Sequence, residues 1–349
     1  MQQWARFAIL GAMFVTAYLL ILAWQKDYGN AATAPQQQAA AVSSHEVSAD
    51  LPNAKNATVA SDVPQANIAQ SQTTDATAPV NQQLISVQTD LYHIWINPKG
   101  GDIVRIELLS HDKSKDSDQP FVMLENDAKR TYVAQSGLIG LNGPDSSRGG
   151  RPLYAVEKTS YTLADAKGVQ DQKGQSEKVL NVPMVFKTPE GVEIIKTFTF
   201  TQGQYPIVVK HQVINRSQQS WQGQMFGQLK RDNSEDPGKS SQGIFTLGTF
   251  LGGAWGTPDA HYNKLKFANF SEEKVNTEAK GGWVAIVQHY FVSAWIPGNL
   301  KLTQANGQPY VAKLESRQSA DHMNIIGFTS PVINVPAGTS MEVDAKLYS

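Results

Sequence analysis

The sequence predicts an all-β fold made of two large, packed antiparallel sheets, and three observations carry that prediction. From Leu84 onward, aromatic and β-branched residues come in short runs broken by Gly, Pro, Asn and Asp. These strand-turn units recur at irregular spacing to the last residues, without the fixed period of a propeller or solenoid. No amphipathic helix longer than three turns interrupts them, and only HYNKLKFANFSEEK, residues 261–274, has the pattern of a short one.

Taken in order, the first element is an apolar helix. FAILGAMFVTAYLLILAW, Phe7 to Trp24, carries no charge over 18 residues. As a helix it would rise about 27 Å, close to the thickness of a bilayer core. Arg6 and the free amino terminus precede it, Lys26 and Asp27 cancel after it, and Trp4 and Trp24 stand where interfacial rings belong. Residues 1–26 are therefore expected to be a transmembrane anchor with the N-terminus inside and the remainder outside. Ala32-Thr33-Ala34 resembles a signal-peptide cleavage site, but the apolar run exceeds the roughly 7 to 15 residues of such peptides and Pro35 follows the site. An uncleaved anchor is the expectation.

Residues 27–83 form the second element, a tether. Positions 31–83 contain 14 alanines, eight glutamines, four prolines and no aromatic residue, too little apolar surface to offset the entropy of ordering. As a disordered chain they would span roughly 40 Å root-mean-square, so the following domain can stand off the membrane. Asn56-Ala57-Thr58 matches a glycosylation acceptor, a triplet that this composition produces easily.

The third element is the β domain, residues 84–349. In DIVRIELL, Val104, Ile106 and Leu108 alternate with Arg105 and Glu107, so one face is apolar and the other wet. The preceding run LYHIWIN ends in PKGGD, whose Gly100 and Gly101 can take the positive backbone angles of a tight connection, and a hairpin is predicted. NVPMVFKTPEGVEIIKTFTF makes another, turning at Thr188-Pro189-Glu190-Gly191, and Gln202-Gly203-Gln204 leads into YPIVVKHQVI. KGGWVAIVQHYFVSAWIPG, residues 280–298, is apolar on both faces. It reads as a doubly buried strand, or as two short strands meeting near Gln288 and His289, in the central core. Only 14 residues separate Gly282 from Pro297, short of the ~20 that a membrane helix needs.

Composition narrows the function classes. The chain has 349 residues, 41% hydrophobic content and a formal charge of −1, so it can bury a sizeable core and lacks the basic excess of a nucleic-acid binder. Cysteine is absent, which removes disulfide frameworks and thiolate metal sites. The seven histidines, at 45, 93, 111, 211, 261, 289 and 322, form no HExxH or other close ligand pair. His93, His211 and His289 fall inside β runs and are expected to be packed or partnered strand residues.

Gly238-Lys239-Ser240 resembles the end of a phosphate loop, but Asn233 stands where its first glycine should be. Ser136 lacks the upstream glycine of a nucleophile elbow, and the adjacent Glu272 and Glu273 read as solvated charge. No catalytic residue, cofactor-binding residue or metal ligand is assigned. Of the tryptophans beyond the anchor, Trp95, Trp283 and Trp295 fall in continuous apolar runs and are expected in the core rather than on a sugar-binding platform. Trp255 sits among glycines and turn residues and is expected on an exposed loop, with Phe226 and Tyr262 as further candidates to line a cleft or partner groove.

The segments NPKGGDI, QSGLIGLNGPD, RPLY, FGQLK, KGGWVA and YFVSAWIP follow one another in this order. In this they resemble the periplasmic region of bacterial YidC-type membrane protein insertases, and the resemblance covers nearly the whole chain. It implies an inner-membrane insertase and chaperone that aids insertion, folding and assembly of inner-membrane proteins. Such a protein works alone or with the Sec translocon and its SecD, SecF and YajC accessories, on nascent membrane proteins, with no cofactor and no enzymatic step. The resemblance places the N-terminus in the cytoplasm and the rest in the periplasm, and implies a monomeric, galactose-mutarotase-like β-supersandwich for residues 84–349.

The family continues beyond this domain into five transmembrane helices with a hydrophilic groove that bears a functional arginine. Nothing in this sequence corresponds to them after EVDAKLYS, so the chain reads as the periplasmic-domain portion, serving anchoring and partner docking. Two other readings compete. One is a stand-alone periplasmic binding or scaffold protein with a groove lined by Phe226, Trp255 and Tyr262. The other is a mutarotase-like sugar epimerase, which requires His and Glu to converge near an exposed Trp.

Overall fold

In the computed structural model, the strand Val192–Thr201 turns Val192, Ile194, Phe198 and Phe200 inward and leaves Glu193, Thr197 and Thr199 half-exposed. This period of two repeats along most strands and decides which face of each sheet is buried. The structure describes Tyr18 and residues 83–114, 117–147, 150–170, 176–235, 250–288, 290–298 and 311–349. Apart from Tyr18, the expected anchor, with Trp4, Arg6, Phe7 and Trp24, lies outside them, as do the tether up to residue 82, Gly238-Lys239-Ser240 and His289. Among the described residues no helix is long and apolar enough to cross a membrane.

The described strands form two sheets. The first has 11 strands. Its spatial order is Asn276–Ala279, Ala312–Gln318, Asn324–Thr329, Trp221–Arg231, Thr131–Ile139, Pro120–Asn126, Asp102–Asp112, Tyr92–Asn97, Ile85–Gln88 and Ser160–Thr162, with Ile333–Val335 added beside Trp221–Arg231. The second has 10 strands. It runs Asn263–Lys266, Gly252–Gly256, Trp283–Val287, Val292–Pro297, Ser340–Tyr348, Ile207–Asn215, Val192–Thr201, Ser176–Lys187 and Ala155–Val156, with Lys167–Gln170 also beside Ser176–Lys187. Pairing is antiparallel throughout except between Ile85–Gln88 and Ser160–Thr162. Ile94, Ile106, Leu124, Phe198, Val209, Leu229, Trp295 and Phe328 belong to one continuous apolar core.

The predicted hairpins form. Tyr92–Asn97 pairs with Asp102–Asp112, and Gly100 and Gly101 hold φ of 78° and 62° in the turn between them. Ser176–Lys187 pairs with Val192–Thr201 across a turn closed by the Gly191 amide on the Thr188 carbonyl. The 280–298 run is a hairpin of two short strands, with Val284 opposite Trp295 and Val287 opposite Val292. Residues 261–274 form no α-helix. The strand Asn263–Lys266 is followed by one 3₁₀ turn, Phe267–Asn269, because Leu265 enters the core while Lys264 and Lys266 point out.

The tryptophans divide differently from expectation. Trp295 is buried, but Trp95 and Trp283 are only half-buried, and Trp255 lies on the strand Gly252–Gly256, packed against the core rather than on a loop. A continuous apolar run marks a strand, yet one of its two faces can still meet solvent.

Candidate functional site

Alternation along Val192–Thr201 brings one charged residue to a core position: Lys196, between Ile194 and Phe198 on the inward face. Its ammonium donates to the carbonyl oxygens of Gly100 at 3.0 Å, Gly101 at 2.8 Å and Ser136 at 2.8 Å. Three acceptors match the three protons of a charged lysine. The side chain therefore reaches from the second sheet to fasten a turn, Gly100–Gly101, and a strand, at Ser136, in the first.

Arg151 completes the cluster. Its guanidinium grips Asp102 with two hydrogen bonds of 2.9 and 3.0 Å, donates from Nε to Asp145, and reaches the carbonyls of Gly100 at 3.1 Å and Ser136 at 2.8 Å. Asp145 also accepts the Leu138 amide at 2.8 Å. From Asp102 a chain of side-chain amides continues: Gln135 donates to Asp102 at 2.9 Å, Gln228 to Gln135 at 2.8 Å, and Arg317 to Gln228 at 2.8 Å. The Trp295 indole donates to the Gln228 carbonyl at 3.1 Å and ties the second sheet to this chain as well.

Glycines make the room. A Cβ on Gly100 would lie 2.7 Å from the Arg151 guanidinium, one on Gly101 would lie 2.9 Å from the Lys196 side chain, and one on Gly137 would overlap the Asp145 carboxylate. Most of the motifs that carry the family resemblance thus meet at a buried ion cluster, with glycines where a Cβ would collide. NPKGGDI supplies Gly100, Gly101 and Asp102; QSGLIGLNGPD supplies Gln135 to Leu138 and Asp145; RPLY supplies Arg151; FGQLK supplies Gln228; and YFVSAWIP supplies Trp295.

Two carboxylates face two cations, which is how buried charge becomes tolerable. Burial works against the Arg151 charge, but Asp102 and Asp145 hold its pKa above the ordinary arginine value. Burial raises the Asp145 carboxyl, opposed by Arg151 and the Leu138 amide. Burial pushes the Lys196 ammonium down to about 7, with Asp102 pulling it back up and Arg151 adding to the push. Opposite Lys196 in the sheet stands His211, fully buried, with neither ring nitrogen hydrogen-bonded. Burial, then Lys196 and Arg151, lower its pKa well below the usual imidazole range. Chemically the arrangement is a clamp. Lys196 and His211 have no exposed surface and Asp145 has 5%, and the polar atoms of the four ionic side chains are turned on one another and on backbone.

The sequence candidates lie elsewhere. Phe226 is fully buried, with the Arg151 guanidinium 5.4 Å from its ring centroid. It belongs to the first sheet and has no exposed surface with which to line an open groove, whereas Trp255 and Tyr262 lie toward one edge of the second. Ser136 contributes its carbonyl rather than its hydroxyl to the cluster. The outer face of the first sheet does bring His93 and Glu107 together, 3.8 Å apart, beside Trp95, whose ring centroid is 3.7 Å from that of His93. Arg105 binds Glu107 there at 2.7 and 2.9 Å and Glu125 at 2.7 Å. Among the described residues no group of His, Asp and Glu could hold a metal ion.

Sequence reasoning missed Lys196, Asp102, Asp145 and Arg151. The signal for Lys196 was present in VEIIKTFTF, where the lysine occupies an inward register position. Asp102, Asp145 and Arg151 carry no such signal, because they lie at strand ends and in turns where charge is ordinary.

Residues 84–349 match the family model described as the YidC periplasmic domain. Proteins called membrane protein insertase YidC are similar over almost the whole chain. The one from a Marinomonas species is 39% identical over 98% of this chain, and the one from Azotobacter vinelandii 37% identical over 99%. The chain spans 58% of the length of each of these relatives. Among solved structures, a galactose mutarotase related enzyme from Lactobacillus acidophilus aligns with 76% of this chain and 96% of its own, at 9% identity and a TM-score of 0.45. An α-galactosidase from Lactobacillus brevis aligns with 76% of this chain and 39% of its own, at 8% identity and a TM-score of 0.42. With its residues from Leu84 to the end matched and its relatives named for one activity, the chain belongs to the YidC periplasmic domain family.

Proposed function

We propose that this chain is the membrane-anchored, periplasmic portion of a membrane protein insertase and chaperone of the bacterial inner membrane. The observation that carries the proposal is the family match over residues 84–349, together with relatives named insertases along 98% and 99% of the chain. Residues 1–26 anchor it with the N-terminus in the cytoplasm, using Phe7 to Trp24 as the span and Trp4, Arg6 and Trp24 as interfacial residues. Residues 27–83 tether the β domain, and the domain itself holds a rigid surface near emerging nascent membrane proteins. Its partners are the Sec accessory subunits SecD, SecF and YajC. The buried ion clamp suits docking rather than chemistry, since it stiffens the frame without presenting a reactive group.

Among the described residues, the grouping of His93, Glu107 and Trp95 is the feature that favours a sugar-epimerase reading. Glu107 is already engaged by Arg105 at 2.7 Å, and Trp95 beside it is half-buried rather than exposed, so the insertase reading is retained.

The test is made in cells. The chain is expected to stay with inner membranes after alkaline extraction, to become protease-sensitive once the outer membrane is opened, and to crosslink to SecD or SecF. A variant lacking residues 1–26 should be released as a soluble β-rich domain. A chain that remains in the cytosolic fraction, protected from protease, overturns the proposal.

A further inference from the structure

At one edge of the second sheet, as its described strands run, Tyr262 lies beyond the strand Asn263–Lys266, Gly256 ends the next strand, and Trp283 stands opposite Gly256. Gly256 has no side chain to separate its neighbours, and the Tyr262 and Trp283 rings meet across it with centroids 5.9 Å apart and planes 34° apart. Tyr262 is 53% exposed and Trp283 half-exposed. On the same outer face stand Lys264 and Lys266, because Leu265 between them enters the core. The Lys264 ammonium lies 5.6 Å from the Tyr262 ring and 5.0 Å from that of Phe250. Lys280 is exposed three residues before Trp283.

Charge on this edge is one-sided. Across residues 250–266 and 280–287 there are three lysines and a single acid, Asp259. None of the three lysines makes an ion pair among the described residues, whereas farther along the sheet Lys210 pairs with Glu342 at 3.3 Å and Lys187 with Glu193 at 3.8 Å. Paired tyrosine and tryptophan rings flanked by unneutralised lysines are the chemistry that settles at the interface of an anionic bilayer. There the rings sit among headgroups and the ammonium groups meet lipid charge.

We propose that this edge, Tyr262, Trp283, Lys264, Lys266 and Lys280, docks on the anionic surface of the membrane that holds the chain. The proposal rests on the reading of the chain as membrane-anchored, and the tether is long enough to allow such docking.

The absence of cysteine makes the test direct. In the full chain, His261→Cys carries an environment-sensitive fluorophore beside Tyr262, and Val169→Cys carries it on the opposite edge strand of the same sheet, where Val169 is 49% exposed. Each labelled chain is reconstituted with vesicles of phosphatidylethanolamine and phosphatidylglycerol, or with phosphatidylcholine alone, and vesicle flotation is followed in parallel. A blue shift is expected at position 261 in the anionic vesicles and not at 169. Lys264→Gln and Lys266→Gln should each lower the bound-to-free ratio of the probe about fivefold. A chain that floats with the vesicles but shows no shift at 261 sinks this proposal and leaves the anchor intact. A shift of equal size in phosphatidylcholine that ignores the lysine substitutions also overturns it. A chain that floats with neither vesicle overturns both the docking and the anchor.

Discussion

A single guanidinium holds much of the clamp together. Arg151 is bonded to both buried carboxylates, so Arg151→Met leaves Asp102 and Asp145 without their hydrogen-bonded ion-pair partner while preserving much of the side-chain volume. The expected loss of unfolding free energy is about 3–5 kcal/mol, measured by urea denaturation of the β domain. Adding Asp145→Asn to Arg151→Met should recover part of it, because one uncompensated charge disappears. A double variant as unstable as the single one would show that Asp145 draws its stability from the Leu138 amide instead. His211 makes the second prediction at this scale. Burial holds its folded pKa well below the ordinary imidazole value of 6.5, so the folded state keeps it neutral while the unfolded chain takes up a proton as pH falls below that value. Stability is therefore lost on acidification below about pH 6.5, at up to about 1.4 kcal/mol per pH unit for this one group. His211→Leu should flatten the slope between about pH 6.5 and 5, and an unchanged slope would sink the assignment.

The edge of the second sheet illustrates how elements depend on residues that have no side chain. At Gly256 a Cβ would lie 2.6 Å from the Trp283 indole nitrogen and would also overlap the His261 carbonyl. Gly256→Val should therefore push Tyr262 and Trp283 apart and cost about 1–3 kcal/mol, with a changed near-ultraviolet dichroism from the ring pair. Retained stability and an unchanged aromatic spectrum would mean that the rings do not meet across this strand. The 280–298 run shows the same dependence from the other side. It is one hydrophobic stretch in sequence, but the turn at Gln288 and Phe291, where an amide meets a carbonyl at 2.8 Å, folds it into two strands. Trp295 is thereby delivered to the core and Trp283 to the outer face.

At the scale of the molecule, the two sheets are joined both by an apolar core and by the charged side chains that cross it, and most of the quoted motifs meet at that joint. The all-β class, the hairpins at Gly100–Gly101 and Thr188–Gly191, and the family were legible in the sequence. Alternation, turn chemistry and motif order are local properties, and the chain displays them without being folded. The ion clamp was only partly legible: Lys196 stands in a core register, but its acceptors at Gly100, Gly101 and Ser136 are 60 to 96 residues away along the chain. Which loop charges become buried, which tryptophan faces out, and whether Phe226 is open or sealed under Arg151 were settled only by tertiary structure. Those outcomes depend on which strands become neighbours and which face of each is covered, and no short stretch of sequence contains that information.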